Sequence, residues 1–342
     1  MRSAVLAEVG RIGLVSARVP EPGPGEVLVR LRAVGICGSD VHFYVDGRIG
    51  DTIATMPFVL GHEPAGEVAA LGAGVTTLGV GQRVALEPSL PCGQCAICRT
   101  GRQNCCPNVR FLACPPYDGV FEEYHLFSAQ QCVPLPDNVS YEAAATLEPL
   151  GVGMHAVRMG GVRAGDRIAV LGCGPVGILT AMAARAAGAT FIAMTDPIPA
   201  RRAHAARLVA DLVLDAADDG KIPTITAAAG AIDIVFDASG AQGALDDAAW
   251  LVRPGGALVI VGIPASERLA LLVHPLRRKE ISLVFTHRAN NVMEACIRLM
   301  ERGALDPVQV VTHRFPLERL AEGMDTVHHY RDGVLKAMIV ME

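Results

Sequence analysis

The run Arg167-Ile168-Ala169-Val170-Leu171-Gly172-Cys173-Gly174-Pro175-Val176-Gly177 decides how this chain folds. It reads as an apolar strand, a glycine-rich turn and the opening of a helix that continues over residues 178–187 and stops at Gly188. A GxGxxG spacing alone is weak evidence, but here it lies between strand and helix, and a second strand over 191–195 ends at Asp196. In this context Gly172 allows the tight turn, Gly174 lets backbone approach a pyrophosphate, and Gly177 permits close helix–strand packing. The helix N-terminus offers oriented N–H groups to the anion. Asp196 would accept hydrogen bonds from a ribose diol and repel a 2′-phosphate, which favours NAD over NADP, although Arg201 and Arg202 follow closely and an arginine can accommodate that phosphate.

Downstream, strands over 232–236 and 257–261 continue a parallel sheet, with Gly262-Ile263-Pro264 at the end of the second, where open α/β sheets bind ligands. Residues 281–285 supply the last strand. Upstream, about the first 135 residues read as β-rich, in short runs bounded by Gly and Pro, with a strand over 26–34. Ser140 reads as the N-cap of a helix that begins at Tyr141 and carries Glu148 followed by Pro149. A helix near 292–302 and a strand over 335–340 return to the first domain. The expected fold class is therefore α/β. A doubly wound parallel sheet spans 151–286, and a β-rich domain is built from 1–150 and 287–342.

Composition narrows the function. The 342 residues are enough for two sizeable cores. No apolar run reaches the ~18 residues of a membrane span, and no signal peptide is evident, so the expectation is a soluble, cytoplasmic protein. A net charge of −5 and a single Trp give no basic, aromatic surface for nucleic acid. In such a compartment the ten cysteines stay reduced.

Two clusters of metal-ligating residues stand out. In Leu60-Gly61-His62-Glu63-Pro64-Ala65-Gly66, an imidazole and a carboxylate lie side by side between glycines. Gly35-Ile36-Cys37-Gly38-Ser39-Asp40-Val41-His42 adds a thiol. Cys37, His62 and Glu63 make three ligands and leave a fourth position open, the arrangement of a catalytic zinc. Ser39 and His42 nearby form a route along which a proton could leave a buried alcohol. Farther on, Cys92, Cys95 and Cys98, completed by Cys105 or Cys106, have the spacing of a closed four-thiolate zinc cage. An iron–sulfur cluster fits that spacing less well.

These residues resemble the zinc-dependent medium-chain dehydrogenase/reductase family over essentially the whole chain. Gly61-His62-Glu63 with Gly66, Gly72 and Val75 is similar to its zinc signature, and the resemblance favours Cys106 as the fourth lobe ligand. Within the family, four stretches resemble polyol dehydrogenases of the sorbitol and xylitol type: residues 35–42, 47–50, 147–150 and 312–317. The resemblance implies a GroES-like catalytic domain, a Rossmann domain and an active-site cleft between them. It implies that Cys37, His62 and Glu63 bind the catalytic zinc, and that Glu148 contacts it through water or orients the substrate. Asp196 and Arg201 would hold the adenosine ribose. Val176, Val261, Gly262, Ile263 and Phe285 would line the dinucleotide. Phe43, Thr286 and His287 stand where the family meets substrate hydroxyls, and they depart from its usual Tyr and Arg-Tyr; Arg288 is adjacent.

The expected activity is interconversion of a polyol and its ketose by hydride transfer to NAD, in a homo-oligomer, tetramer or dimer. A secondary-alcohol, butanediol or threonine dehydrogenase would use the same parts. A non-catalytic zinc- and dinucleotide-binding protein is the alternative of another class.

Overall fold

The structure is a computed structural model that describes every residue except Ala265 and Glu267. Two compact units form. One comprises Met1–Glu148 with Met293–Glu342, and the other Pro149–Val292.

The second unit is a six-stranded, wholly parallel sheet in the spatial order Leu212–Asp215, Phe191–Asp196, Arg167–Leu171, Ile232–Asp237, Val252–Ile260, Ser282–Phe285. Counted within the unit this is 3-2-1-4-5-6, the order of dinucleotide-binding sheets, with its reversal between Arg167–Leu171 and Ile232–Asp237. Val170, Leu171, Ala193, Val235, Phe236 and Leu258 are fully buried or nearly so, as expected of strands covered on both faces. The strand Val252–Ile260 begins earlier than its apolar run suggests. Val252 already pairs with Ile232, and an irregularity between Ile232 and Ile234 absorbs the Pro254-Gly255-Gly256 segment.

In the first unit one sheet runs Cys132–Pro134, Arg83–Leu86, Glu63–Leu71, Glu26–Gly35, Lys336–Val340, Val311–Phe315, with Tyr124–Ser128 also paired to Glu26–Gly35. Glu26–Gly35 is the hub, and its Val27, Val29, Leu31 and Val34 enter a core with Leu86, Phe121, Phe127 and Ile339. Its register sets up the chemistry. Gly35 pairs with Glu63 on one side and Met338 on the other, and Ile36 N donates to Ala337 O (2.9 Å). A side chain at 336 is thereby carried past Gly35 to the level of Cys37.

The helix expected from Tyr141 is two helices, Tyr141–Ala145 and Leu147–Gly160. Ser140 Oγ does cap the first, accepting from Ala143 N (3.1 Å). Pro149 causes the break: it has no N–H to donate to Ala145, and its ring would crowd that carbonyl. It is tolerated in the first turn of a new helix. Glu148 consequently stands in a helix's first turn rather than mid-helix. No helix among the described residues is long and apolar enough to cross a membrane.

Candidate functional site

Cys37 ends the run from the central strand and serves as N-cap of the helix Gly38–Asp46; His62 and Glu63 stand at the start of Glu63–Leu71. A Cys37 sulfur, a His62 ring nitrogen and a Glu63 oxygen all lie within 4.8 Å of one another. Asp40, in the first turn of the helix, ties both segments together. Its carboxylate accepts from Cys37 N (3.0 Å) and Gly61 N (2.9 Å) and faces His62 Nδ1 at 3.4 Å. An Nδ1 held this way leaves Nε2 available as ligand, the usual role of a carboxylate behind a metal-binding histidine. Burial opposes charge on both partners. Their mutual attraction and the backbone N–H groups outweigh it, lowering the Asp40 pKa and raising that of His62 well above its ordinary value.

Glycine is required at position 35. A Cβ there would stand 1.9 Å from Glu63 Oε2, so the carboxylate occupies the space a side chain would fill. Lys336 lies on the other side of that carboxylate. Its buried Nζ is 2.6 Å from Oε1 and 2.5 Å from Oε2, and it also donates to Ile36 O (3.0 Å). The hydrogen bond goes to Oε1, and Oε2 is fully buried and in the ion pair only. Glu148 is half-buried. Burial, reinforced by Glu63 and Glu87, pushes its pKa to about 7 against the pull of His62 and Lys336. Burial likewise raises Glu87, whose Oε1 accepts from Ser89 Oγ (2.5 Å).

The donors suit Zn²⁺: one thiol, one imidazole and one carboxylate, the last with an oxygen that has no hydrogen-bond donor. The second cluster suits it as well. Cys92, Cys95, Cys98 and Cys106 bring all four sulfurs within 4.8 Å, with Cys106 Sγ 3.5 Å from Cys92 Sγ and 3.9 Å from Cys95 Sγ. Tetrahedral coordination with Zn–S near 2.3 Å requires sulfurs about 3.8 Å apart. Backbone N–H groups of Gln94 and Cys95 hold Cys92 at about 6, whereas burial and the neighbouring sulfurs push Cys98 to about 12. Four such sulfurs ionise together only around a cation. Cys106 is buried in the group and Cys105 is exposed, which separates the two candidates for the fourth position.

Ser39 and His42 lie three residues apart on Gly38–Asp46. Ser39 is partly accessible, and His42 is exposed with Nδ1 3.4 Å from Asp46. Phe43, on the same helix, is buried edge-on to Phe58 in the first unit's core.

In the second unit the glycine turn has the expected shape. Gly172 adopts φ 113°. A Cβ on Gly177 would strike Gly172 O at 2.0 Å, and Gly174 opens onto space bounded by the Arg201 guanidinium, 3.9 Å from where its Cβ would be. Asp196 is buried and already engaged, accepting from Cys173 N and Ile198 N, both 2.8 Å. Its remaining lone pairs are what a ribose could use. Val176 follows Pro175 in the first turn of Pro175–Ala186. Val261 N and Gly262 N both donate to Asp237 O, while Ile263 and Phe285 are strongly exposed. Thr286 Oγ1 donates to Ile260 O (3.0 Å); burial, Arg288 and His155 lower the His287 pKa.

Asp40, Glu87 and Lys336 belong to the site without having been singled out from sequence. Asp40 sat inside the quoted Cys37 motif, where its position three residues after an N-cap gave a usable signal. Lys336 gave none, being 273 residues from Glu63.

Comparison with known proteins gives a consistent result. The alcohol dehydrogenase GroES-like domain matches residues 23–137, and the zinc-binding dehydrogenase domain matches 175–302. The chain is 38% identical to sorbitol dehydrogenase of Bacillus subtilis (strain 168) over 342 residues, covering 99% of this chain and 97% of that one. It is 38% identical to L-arabinitol 4-dehydrogenase of Aspergillus oryzae over 336 residues, covering 93% and 86% respectively. Among solved structures, 2R,3R-butanediol dehydrogenase from Bacillus subtilis superposes with a TM-score of 0.90 at 30% identity, covering 100% of this chain and 99% of that one.

Proposed function

The chain belongs to the zinc-dependent, GroES-like medium-chain dehydrogenase family, and on that premise we propose how its residues divide the work of oxidising a polyol. The protein is a zinc- and NAD-dependent oxidoreductase that acts on CH–OH groups and interconverts a polyol and its ketose. The observation that carries the reading is the convergence of Cys37, His62 and Glu63 donor atoms within 4.8 Å, with the Glu148 carboxyl close enough to feel both His62 and Glu63.

Cys37, His62 and Glu63 hold the catalytic metal. When bound, zinc supplies the Lewis acidity that favours the ionised form of a substrate hydroxyl. Asp40 fixes the His62 ring. Ser39 receives the hydroxyl proton and passes it along its helix to His42, which is 64% exposed and delivers it to solvent. The carbinol C–H bond breaks with its electron pair passing to the nicotinamide, so the products are a ketose, NADH and a proton. Glu148, whose pKa burial raises to about 7, hydrogen-bonds a neighbouring hydroxyl as donor or acceptor. A polyol gains from such a partner and a simple alkanol does not. Thr286 and His287 are assigned to substrate hydroxyls, whereas Phe43, expected to share that role, is instead packed against Phe58 in the first unit's core.

The Gly172, Gly174 and Gly177 turn binds the pyrophosphate, with Arg201 beside it and Asp196 on the ribose. Val176, Val261, Gly262, Ile263 and Phe285 contact the rest of the dinucleotide. The four lobe cysteines hold a structural zinc that does no chemistry. The reading includes a cytoplasmic setting and a homo-oligomer without membrane or nucleic-acid partners. The strand Ser282–Phe285, which ends its sheet with Leu283 partly exposed, offers an edge that a second copy could cover.

Initial rates of NAD and NADP reduction over xylitol, sorbitol, arabinitol, 2,3-butanediol, threonine and 2-propanol test this. A preference for C5–C6 polyols with NAD is expected. Turnover confined to 2,3-butanediol or small alkanols would replace the polyol assignment, and zinc-loaded protein silent on all of them would point to a binding protein.

A further inference from the structure

Lys336 presents a problem that the assigned reaction does not solve. It belongs to none of the motifs above, yet its side chain is only 3% exposed and its ammonium lies against the one carboxylate among the three metal donors. Sheet register enforces this contact. Ala337 accepts from Ile36 N, so Lys336 begins its strand level with Cys37, and its side chain reaches Glu63 there. Glu63, fully buried, is thus offered to two cations at once.

We propose that Lys336 is a positioning residue that competes with the metal for Glu63. Without metal the ammonium neutralises the carboxylate and keeps the donor set in place, since a buried carboxylate with no counter-charge is strongly destabilising. With metal bound, the ammonium draws on the same oxygens and repels a second cation at short range, so it weakens the hold on the metal. Lys336 thereby makes the active-site metal exchangeable and the metal-free site durable. This rests on Cys37, His62 and Glu63 being the metal ligands.

The two roles open to Lys336 predict opposite signs. A simple scaffold, once removed, would let metal escape faster. A competitor, once removed, would let it escape more slowly while harming only the metal-stripped protein. The test follows zinc transfer from holoenzyme to a chromophoric chelator. The phase missing from Cys37→Ser is assigned to the active site, and thermal unfolding of zinc-stripped protein is measured alongside. Lys336→Met is expected to slow the active-site phase by about tenfold or more and to lower the unfolding midpoint of stripped protein relative to wild type. Lys336→Gln, which keeps a donor for Ile36 O but not the charge, carries the same expectation and covers a Met variant that fails to fold. Lys336→Arg restores the cation and should return the release rate to within about threefold of wild type. The cobalt-substituted enzyme should change its ligand-field spectrum in the Met and Gln variants, because Glu63 then binds metal alone. In a Glu63→Gln background the Lys336→Met effect on release should vanish. Faster or unchanged release in both neutral variants overturns the proposal. Identical release traces for wild type and Cys37→Ser would overturn the metal assignment instead.

Discussion

Two candidate metal centres lie in the same unit, and they are built in opposite ways. The lobe gathers Cys92, Cys95, Cys98 and Cys106 from fifteen consecutive residues, with a one-turn helix, Ala96–Arg99, whose N-cap is itself a ligand and accepts from Cys98 N (3.4 Å). Chain proximity does most of the assembling. The other centre draws Cys37 from the end of one strand, His62 and Glu63 from the start of its neighbour, and the Lys336 counter-charge from a third strand. Here the sheet does the assembling, and Asp40 and Gly35 exist to make the fit possible. A closed four-sulfur site has no vacancy to use. The assembled site has three donors, a shared carboxylate and neighbouring acids, so it retains the freedom that chemistry needs.

The largest effect should come from removing a donor at the assembled site. Cys37→Ser is expected to cut turnover by at least about 10³-fold, in line with the several kcal/mol of transition-state charge stabilisation a metal supplies, and to reduce zinc content by one per chain. Near-normal turnover with full zinc would erase the distinction between the centres. Cys98→Ser should do the reverse. Residues around 91–106 become open to proteolysis because the lobe loses the metal that folds it. Turnover per remaining active-site zinc should stay within about tenfold. A collapse of turnover at full active-site occupancy would make the lobe more than a brace.

A smaller effect separates the centres by pH. Glu148 has a folded pKa of about 7, above the ordinary carboxyl value of 4.5, chiefly through burial. The folded state therefore favours the protonated form. Stability is fully present below the ordinary value and falls as pH rises toward 7, by up to about 1.4 kcal/mol per unit. Zinc-stripped Glu148→Gln should match wild type near pH 4 and exceed it by on the order of 2–3 kcal/mol at pH 8. Parallel pH–stability curves for the two would show that the carboxyl is solvated after all. Least of all, Gly35→Ala should destabilise by about 1–3 kcal/mol through overpacking against Glu63. Gly35→Ala should cost less in a Glu63→Ala background than in wild type; an equal cost in both would mean the glycine serves the backbone rather than the carboxylate.

How much of this was legible in the sequence follows the same division. The lobe and the Gly172–Gly177 turn are local, so a short window exposes them once the flanking strand and helix are included, although spacing left Cys105 and Cys106 both open as the fourth lobe ligand. The parallel sheet could be read for the same reason, since each strand and helix carries its own apolar pattern. The ligands Cys37, His62 and Glu63 were visible as chemistry, but not the arrangement that makes them a site. That depends on Gly35 pairing with Glu63 and Met338 at once, a register that no short window encodes. Lys336 looked like an ordinary strand lysine in Leu335-Lys336-Ala337-Met338, and only a three-strand alignment turns it inward. The helix break at Thr146 was within reach, because Pro149 announces it.

The strand Lys336–Val340 also has a consequence for how the protein is made. Glu63 emerges from the ribosome 273 residues before Lys336, an interval of roughly 15–55 s at about 5–20 residues per second. Throughout it the second unit, Pro149–Val292, is synthesised and can fold in full, while the Ala33–Gly35 end of the hub strand still lacks its partner in Lys336–Val340. The Glu63 carboxylate spends that interval without its ammonium and within reach of water, and any cation that binds it then arrives before its intramolecular rival.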